Sequence, residues 1–402
     1  MKKTYIFLTF AIYGIGGTQI YVRNKMRFLM DRGWDVKVVT TEIAGNNPLV
    51  IEELSSFSGL VYPELLKNPN LYTKKERERI LERISSAIGP VSPDSVIEPN
   101  FIQVTFWGEL LAEYLGIRNF IFLIQEDYRI RIKSYLDFFK YKYDRGEFFV
   151  NTQYALRQLF EGYYEVSEGA SSFLSATCHN AVEDCDSLLI EKLPNADYTI
   201  GMIGRVNKPF VLPVIREIAQ YSAYHSEHTF ALAILGGSPD ENDYTAIHQV
   251  VDDVANLYIM ITGPIFPVPY NMIKRGNVFI SSAGSVRTSA DCGMISIAID
   301  ANDFQPIGIY GYTTQEYIHR PPNSEIITLS TLLDQIIFEK KYISRPEYNS
   351  DWPDIEKSFD NHLFRLQEAE KNLQYYDIGK IHPAVGLILQ EIIHRLYTKA
   401  RN

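Results

Sequence analysis

A glycine cluster near the start of the sequence is the first place where residue types and spacing suggest ligand binding. Gly14, Gly16 and Gly17 come directly after an apolar run that extends from Tyr5 to Tyr13. Such a turn at the start of a helix exposes backbone N–H groups and the positive end of the helix dipole, which suits a phosphate or a sugar hydroxyl. The same turn can also be a purely structural connection between a strand and a helix.

The stretch around this cluster also has the layout of a dinucleotide-binding unit, which is strand, glycine turn, helix, strand and acid. The third glycine of the G-x-G-x-x-G fingerprint is replaced by Gln19, which cannot let helix and strand pack as closely. The acid Glu42 lies farther beyond Gly14 than the roughly 20 residues expected for a ribose-binding acid. The cluster therefore favours a phosphate or sugar ligand, or no ligand, over NAD or FAD.

A pair of cations follows an apolar run in the second half of the chain. Arg205 and Lys208 lie in the stretch IGRVNKP, just beyond the carboxyl end of a predicted strand. Doubly wound sheets bind their ligands at this end of the strands. Two cations there can neutralise the charge that develops on a diphosphate leaving group as a sugar–phosphate bond breaks. Solvated surface cations are the alternative interpretation.

Two series of alternating strands and helices are predicted to position these residues. In the first series, the helix after the glycine cluster places four apolar residues on one face and ends at Gly33; the four are Val22, Met26, Leu29 and Met30. Further strands are predicted in DVKVVT, PDSVIEP and NFIFLIQED, and further helices in KKERERILERISSAIG and FIQVTFWGELLAEYLG. The alternation indicates a parallel sheet with helices on both faces.

The second series begins near Tyr198 and is more regular. Its strands are predicted in YTIGMIG, FALAILGG, LYIMITG, NVFISS and MISIAID, and its helices in VLPVIREIAQYS and DYTAIHQVVDDVAN. We therefore predict an α/β protein of two doubly wound domains, residues 1–194 and 195–380, with a hinge at residues 191–197. Two amphipathic tail helices are predicted over residues 355–376 and 383–401, and residues 381–402 are expected to pack back on the first domain.

The composition is that of an ordinary globular enzyme. The chain has 402 residues, of which 46% are hydrophobic and 22% charged, and its net charge of −10 argues against a nucleic-acid partner. Cys178, Cys185 and Cys292 form no CxxC pair and are expected to be reduced thiols. The eight histidines show no ligand spacing, so no metal is expected. No apolar stretch approaches the roughly 18–20 residues that span a bilayer.

Six short stretches, taken in order, resemble a glycosyltransferase of the GT-B fold. The family is the large, mostly retaining group that includes bacterial polysaccharide and glycogen-type transferases. The stretches are GGTQIYVRNKMRFLMDRGWDVKVVT, FFVNTQYALRQL, CHNAVED, IGRVNKP, LAILGG and IMITGPI. The resemblance implies two Rossmann-like domains facing a central cleft, with C-terminal helices crossing back to the first domain. It also implies a nucleotide-diphosphate sugar as co-substrate, with no metal or other cofactor.

The resemblance implies a site to which both domains contribute. The first domain is expected to contact the acceptor and the transferred sugar through Gly16 and Gly17. The second is expected to hold the nucleoside beside Pro264 and Ile265, which follow the predicted strand of IMITGPI. The cations of IGRVNKP are expected to bind the donor diphosphate.

The sequence departs from the family at a pair of glutamates that are normally separated by seven residues. The corresponding stretch here is SSAGSVRTSADCG, which contains no glutamate. Thr288 stands at the second glutamate and can bind a ribose hydroxyl, although less strongly than a carboxylate does. The glycine-serine helix start remains, so Gly284, Ser285 and Arg287 are predicted to bind the diphosphate. A serine that caps a structural helix is the alternative.

Three further stretches have candidate roles. Glu126, at a predicted strand end, is the candidate to orient or deprotonate an acceptor hydroxyl, with a turn acid as the alternative. Residues 128–146 mix six cations with aromatic residues and only two acids. This mixture suits contact with a membrane surface or a lipid-linked acceptor, with an exposed helix as the alternative. Residues 300–314 are interpreted as a plain connection or a lid loop.

The sequence therefore predicts a cytoplasmic glycosyltransferase that transfers a sugar from a nucleotide-diphosphate donor to a saccharide or lipid-linked acceptor. Surface polysaccharide synthesis, with peripheral contact at the inner face of the membrane, is the setting that the family implies. The missing glutamate pair leaves open a GT-B-fold binding or accessory protein that transfers no sugar. An NAD-linked oxidoreductase or epimerase is the remaining alternative.

Overall fold

The computed structural model describes residues 2–11, 16–42, 60–124, 130–166, 174, 182–184, 187–238, 240–321, 324–343, 355–369 and 371–383. The chain divides into two compact units. The first unit consists of Met1–Cys178 together with Pro353–Asn402, and the second of His179–Trp352.

Strands and helices alternate along most of the described chain. The strands are β1 (Thr4–Ala11), β2 (Asp35–Glu42), β3 (Val96–Pro99), β4 (Arg118–Asn119), β5 (Ile121–Leu123), β6 (Phe148–Val150), β7 (Val182–Glu183), β8 (Tyr198–Ile203), β9 (Phe230–Leu235), β10 (Leu257–Ile261), β11 (Val268–Pro269), β12 (Val278–Ser281), β13 (Ser296–Ile299) and β14 (Pro306–Ile309). The helices are α1 (Gly17–Asp31), α2 (Lys74–Ile88), α3 (Ile102–Leu115), α4 (Lys133–Asp144), α5 (Gln153–Leu159), α6 (Ser187–Ile190), α7 (Val211–Tyr224), α8 (Glu241–Val251), α9 (Tyr270–Ile273), α10 (Gly284–Asp291), α11 (Leu329–Ile337) and α12 (Ile355–Glu368). Short 3₁₀ helices cover Pro63–Leu66, Pro69–Leu71 and Ile378–Lys380.

The first unit is built on parallel strands in the order β2-β1-β3-β4, with β5 and β6 paired beside them. The Phe120 N–H donates to the Ile97 carbonyl at 2.8 Å, so the chain between β4 and β5 stays in register with β3. Helix α1 buries Val22, Met26 and Leu29 as predicted, but Met30 is 52% exposed. Met30 lies at the last turn of α1, where the chain is already leaving the sheet for β2.

The second unit is a six-stranded sheet in the order β10-β9-β8-β12-β13-β14. All pairs are parallel except β13–β14, which is antiparallel. Strand β14 lies within residues 300–314, so part of the stretch interpreted as a connection or lid is an edge strand of the sheet. Helices α7, α8 and α11 bury their apolar faces against this sheet. The prediction of doubly wound α/β units is confirmed.

A buried ion pair joins α1 to β3 in the first unit. The Lys25 ammonium contacts the Glu98 carboxylate and donates to the Tyr21 hydroxyl at 2.9 Å and to His362 Nδ1 at 3.1 Å. The Tyr5 hydroxyl also donates to Glu98. Burial lowers the pKa of Lys25, while the Glu98 charge opposes that shift. Burial and the same carboxylate hold the pKa of Tyr5 well above its usual range, so its phenol remains a donor.

A second buried ionic cluster lies between α3, α4 and β6. Lys142 pairs with Glu109 at 3.0 Å and with Glu147 at 2.7 Å, and Arg145 pairs with Glu147 at 3.1 Å. Glu109 also accepts a hydrogen bond from the Tyr376 backbone N–H at 2.7 Å. Because buried charges are costly unless they are paired, these contacts fix the position of the C-terminal segment on the first unit.

The division of the chain differs from the predicted boundaries at residues 194 and 380. Helix α12, which we assigned to the second domain, packs on α1 of the first unit because Phe359 and His362 are buried against Phe28 and Tyr21. The predicted helix over residues 355–376 ends at Glu368. After it, a non-helical segment is held by side chains of the first unit. The predicted helix over residues 383–401 lies almost wholly outside the described residues.

The predicted hinge also differs from the observed division. The described residues between 182 and 193 belong to the second unit. Val182 pairs in parallel with Val268, and Leu189, Ile190 and Leu193 pack on the cluster that contains Ile203 and Met272. The chain therefore enters the second unit before the stretch 191–197.

Replacing Phe359 tests the docking of α12 on the first unit. Phe359 is fully buried and Phe364, on the same helix, is 51% exposed. Phe359→Ala is expected to lower the free energy of unfolding of the first unit by about 3–5 kcal/mol, because it leaves a cavity between α12 and α1. Phe364→Ala, the matched control, is expected to change it by less than about 0.5 kcal/mol.

Urea unfolding, read through hydrogen exchange of α1 amides, measures this free energy for the first unit. Equal effects of the two substitutions would show that α12 is not docked as described.

Candidate functional site

The candidate site lies at the carboxyl edge of the sheet in the second unit. The chain runs from β8 to β9 and β10 on one side, then returns to β12 and β13 on the other. The strand order therefore reverses between β8 and β12, and a crevice opens at such a switch point because the two loops leave in opposite directions. The loop after β8 contains Arg205 and Lys208, and the loop after β12 leads to Gly284 and Ser285.

Lys208 and Ser285, which are distant in sequence, meet at Gly204. A Cβ atom placed on Gly204 would lie 3.4 Å from Ser285 Oγ and 3.6 Å from Lys208 Nζ. The backbone of Gly204 has φ +128°, a conformation that favours glycine. Ser285 is 9% exposed, and its hydroxyl has no hydrogen-bond partner in the part of the chain that the structure describes. An ammonium and the hydroxyl of a largely buried serine thus flank the same glycine.

The loops after β8 and β9 touch through their backbones. A Cβ on Gly236 would lie 1.9 Å from the Gly204 carbonyl oxygen, so no other residue fits at position 236 without moving the chain. The Gly204 N–H donates to the Leu235 carbonyl at 3.1 Å. A Cβ on Gly237 would lie 2.6 Å from the ring of Pro264, which brings the loop after β10 against the same edge.

Helix α10 begins at the switch point in an unusual backbone conformation. Ala283, the residue before the helix, has φ 56° and ψ −142° and provides no side-chain cap. Its N–H donates to the Tyr317 carbonyl at 2.7 Å. The amides of Gly284 and Ser285 belong to the first turn, where backbone N–H groups have no partner within the helix. Such a turn can accept an anion if one is bound.

Arg287 and Thr288 are placed differently from the other predicted contacts. The guanidinium of Arg287 lies over the Tyr317 ring, 5.1 Å from its centroid, and contacts the Tyr317 hydroxyl at 3.5 Å. Burial lowers the pKa of Arg287, and Tyr310 and Tyr317 oppose this shift. The Thr288 hydroxyl donates to the Gly284 carbonyl at 3.1 Å, within its own helix. The diphosphate role of Arg287 and the ribose role of Thr288 stay predictions.

The remaining predicted contacts of the second unit lie in the loops around this edge. Arg205 is exposed and follows Gly204 directly, and Pro264 is exposed beside Gly237. Ile265 is half-buried. The nucleoside position predicted for Pro264 and Ile265 thus lies in the loop after β10, which touches Gly237 in the loop after β9.

The first unit contributes a second carboxyl edge with fewer described residues. Its strand order also reverses, between β1 and β3. Gly16 precedes α1 and Gly17 is its exposed first residue, as the predicted turn requires. The Gln19 side chain folds back over the helix start, since a Cβ on Gly16 would lie 2.7 Å from Gln19 Oε1. Glu126 lies outside the described residues, so its predicted role stays a prediction.

The basic stretch 128–146 presents fewer cations than its composition suggests. Lys142 and Arg145 are buried in ion pairs, and Lys140 binds the carboxylate one turn later in α4. Arg131 and Lys133 are exposed. The predicted membrane contact is therefore reduced to these two cations among the described residues of the stretch.

Among the residues that the structure describes, no group of three or more His, Cys, Asp or Glu side chains is arranged to hold a metal ion. The helices of these described residues include none with the length and apolar character needed to cross a bilayer. Cys292 is buried and forms no disulfide among the described residues, and Cys178 and Cys185 lie outside the described ranges.

Sequence reasoning missed Tyr317 and the glycines at positions 204, 236 and 237. The glycine signal was present, since IGR and LGG each place glycine directly after an apolar run. No sequence pattern pointed to Tyr317, because it contacts Ala283 through its backbone carbonyl and Arg287 through its aromatic ring. Neither of these long-range contacts produces a local pattern.

Comparison with known proteins gives matches in structure only. No protein-family model matches the sequence, and no curated protein is similar to it in sequence at a significant level. A glycosyltransferase from Rickettsia africae ESF-5 superposes with a TM-score of 0.52 at 13% identity, covering 100% of this chain and 99% of that chain. The lipopolysaccharide outer core galactosyltransferase WaaB gives a TM-score of 0.52 at 12% identity, over 91% of this chain and 99% of that chain.

A third solved structure is that of S. aureus MnaA with UDP, one of the UDP-GlcNAc 2-epimerases. It gives a TM-score of 0.50 at 14% identity, over 94% of this chain and 100% of that chain. Identities this low show a shared fold. The chain has the GT-B fold, with two Rossmann-like units, as the sequence predicted.

Proposed function

We propose that this chain is a glycosyltransferase that takes a sugar from a nucleoside-diphosphate donor and passes it to a saccharide or lipid-linked acceptor. The observation that carries the proposal is the meeting of Lys208 and Ser285 at Gly204, at the switch point of the second unit. The donor diphosphate binds there, with its base beside Pro264 and Ile265.

The chemistry of this edge suits a diphosphate. The Lys208 ammonium offsets the charge that grows on the leaving group as the sugar–phosphate bond breaks. The Ser285 hydroxyl and the first amides of α10 donate hydrogen bonds to phosphate oxygens. Gly204 has no side chain between the Lys208 ammonium and the Ser285 hydroxyl, so a phosphate can approach the backbone there. In this proposal the reaction needs no metal, because cations and a helix start hold the diphosphate.

Two observations favour other functions and define the competing outcomes. The likeness to S. aureus MnaA, solved with UDP, favours an epimerase that handles a nucleotide sugar without an acceptor. The absence of the glutamate pair between Ser281 and Gly293 favours a protein that binds a nucleotide without turnover. The ordered set of transferase-like stretches along the sequence makes the transferase our first choice.

Nucleotide binding is tested first, with UDP, GDP and ADP as probes in a thermal-shift measurement. A nucleotide present at 100 times its dissociation constant should stabilise the folded chain by about 2.7 kcal/mol. Lys208→Ala is expected to raise that constant by about tenfold to a hundredfold, because a charged hydrogen bond to phosphate is lost. Arg205→Ala should raise it by only about twofold to fivefold, because an exposed charge is screened by solvent.

Lys192→Ala is the matched control, since Lys192 is exposed in the same unit and lies before β8 begins. It is expected to leave the dissociation constant unchanged. If Lys208→Ala binds the nucleotide as tightly as the wild type does, the diphosphate is not at this edge.

The reaction is tested by following radiolabelled UDP-GlcNAc and UDP-glucose with and without a panel of saccharide acceptors. A transferase releases UDP and places the label on an acceptor, faster than it hydrolyses the donor. An epimerase converts the UDP-GlcNAc sugar without releasing UDP, and an accessory protein shows binding with neither product. Either of the last two results, with binding intact, replaces the transferase assignment.

A further inference from the structure

The residue that enters α10 has a backbone conformation that needs external support. Ala283 has φ 56° and ψ −142°, in a region that residues with a Cβ atom rarely adopt. Such a conformation costs about 1–3 kcal/mol and persists only where surrounding contacts impose it. Ala283 is the last residue before α10, so its backbone angles set the direction in which the chain enters Gly284 and Ser285. The direction of the first amides of α10 therefore depends on whatever holds Ala283.

The contact that holds Ala283 comes from residues 314–320, which we call the Tyr317 segment. The Ala283 N–H donates to the Tyr317 carbonyl at 2.7 Å. On its far side, the segment is tied to the end of β13. The Ala301 N–H donates to the Ile318 carbonyl at 2.9 Å, and the Arg320 N–H donates to the Asp300 carboxylate at 2.6 Å.

The Tyr317 side chain adds a contact with α10 itself. Its ring lies under the Arg287 guanidinium at 5.1 Å and meets the Tyr310 ring edge-on, with centroids 5.9 Å apart. Ser285, whose hydroxyl lies beside Gly204 as the Lys208 ammonium does, stands two residues before Arg287 on the same helix. Tyr317 therefore contacts both the residue before the helix start and the turn that follows it.

We propose that Tyr317 is a positioning residue that holds the start of α10 in the orientation needed for diphosphate binding. Its carbonyl imposes the conformation of Ala283, and its ring stacks on Arg287 in the first half of α10. The inference rests on the proposed function for the ligand, but the positioning itself concerns the ligand-free chain.

Substitutions at position 317 separate the ring from the hydroxyl. Tyr317→Phe keeps the stacking on Arg287 and is expected to bind UDP like the wild type. Tyr317→Ala is expected to raise the dissociation constant for UDP by about fivefold to tenfold, which corresponds to a helix-start interaction with an anion. Tyr224→Ala is the control, because Tyr224 is exposed at the end of α7 in the same unit, and it should change nothing.

A second substitution tests the link through Ala283. Tyr317→Ala keeps the backbone carbonyl that holds Ala283 and removes only the ring that fixes the position of this carbonyl against α10. Glycine adopts the observed conformation without strain, so Ala283→Gly removes the tendency of this residue to relax when the ring is lost. Ala283→Gly in the Tyr317→Ala background is expected to recover at least half of the lost UDP affinity, expressed as a free energy. The midpoint of urea unfolding is measured in the same variants, and a recovery of UDP affinity that only follows a recovery of this midpoint would show a role in general stability instead.

Hydrogen exchange of the ligand-free protein tests the positioning of α10 without a nucleotide. The Ala283 amide, which donates to the Tyr317 carbonyl, and the Val286 amide, which donates to the Ala283 carbonyl, are expected to exchange faster in Tyr317→Ala than in wild type and Tyr317→Phe, with α7 and α8 unchanged. Unchanged exchange at Ala283 and Val286, or unchanged UDP affinity in Tyr317→Ala, overturns the inference. If the wild type binds none of UDP, GDP and ADP, the proposed function fails, and the exchange measurement still decides whether Tyr317 holds the helix.

Discussion

The Gly204 carbonyl oxygen lies 1.9 Å from the point at which a side chain on residue 236 would begin. This backbone contact brings the loops after β8 and β9 together at the carboxyl edge of the second unit with no side chain between them. Lys208 and Ser285 flank Gly204 from two sides of the switch point. A side chain at position 236 would push the loop after β8 away and displace Gly204, beside which Lys208 and Ser285 lie.

The first unit depends on a different interaction, which is a buried ion pair and its hydrogen bonds. Glu98 accepts hydrogen bonds from Lys25, Tyr21 and Tyr5, so α1, β1 and β3 share one carboxylate. His362 brings α12 to the same cluster, where its Nδ1 accepts from Lys25 because an ammonium can only donate. Removing one partner would leave a buried charge unpaired, which is more costly than the loss of an apolar contact.

The elements could be predicted from the sequence because they depend on local patterns. Alternation of short apolar runs with amphipathic stretches identified both sheets, and parallel strands bring their carboxyl ends to one edge. That rule is also why Lys208 and Ser285 were expected at one site, although 77 positions separate their numbers. The sequence also showed a glycine directly after β8 and after β9. It did not show that these two glycines touch, because a contact between two loop backbones leaves no periodic pattern in the sequence.

The rest depended on contacts that no local pattern contains. Lys25 lies one turn after Tyr21 on a face that is otherwise apolar, and a lysine there is ordinarily taken as solvated. The amphipathic pattern of α12 predicted a helix but not which unit it would cover. The direction of Arg287 is set by an aromatic ring 30 positions later. Each of these residues is placed by tertiary packing.

The division of the chain has a consequence for the order in which the protein folds during synthesis. The second unit is one continuous stretch, His179–Trp352, and its sheet is complete once that stretch has left the ribosome. The first unit begins earlier but needs α12, because Phe359 and His362 close its buried cluster. The part that is made first is therefore finished last. Until α12 has been synthesised, the buried cluster around Lys25 and Glu98 lacks the contacts of Phe359 and His362. A chaperone that binds exposed apolar surface would therefore bind the first unit rather than the second.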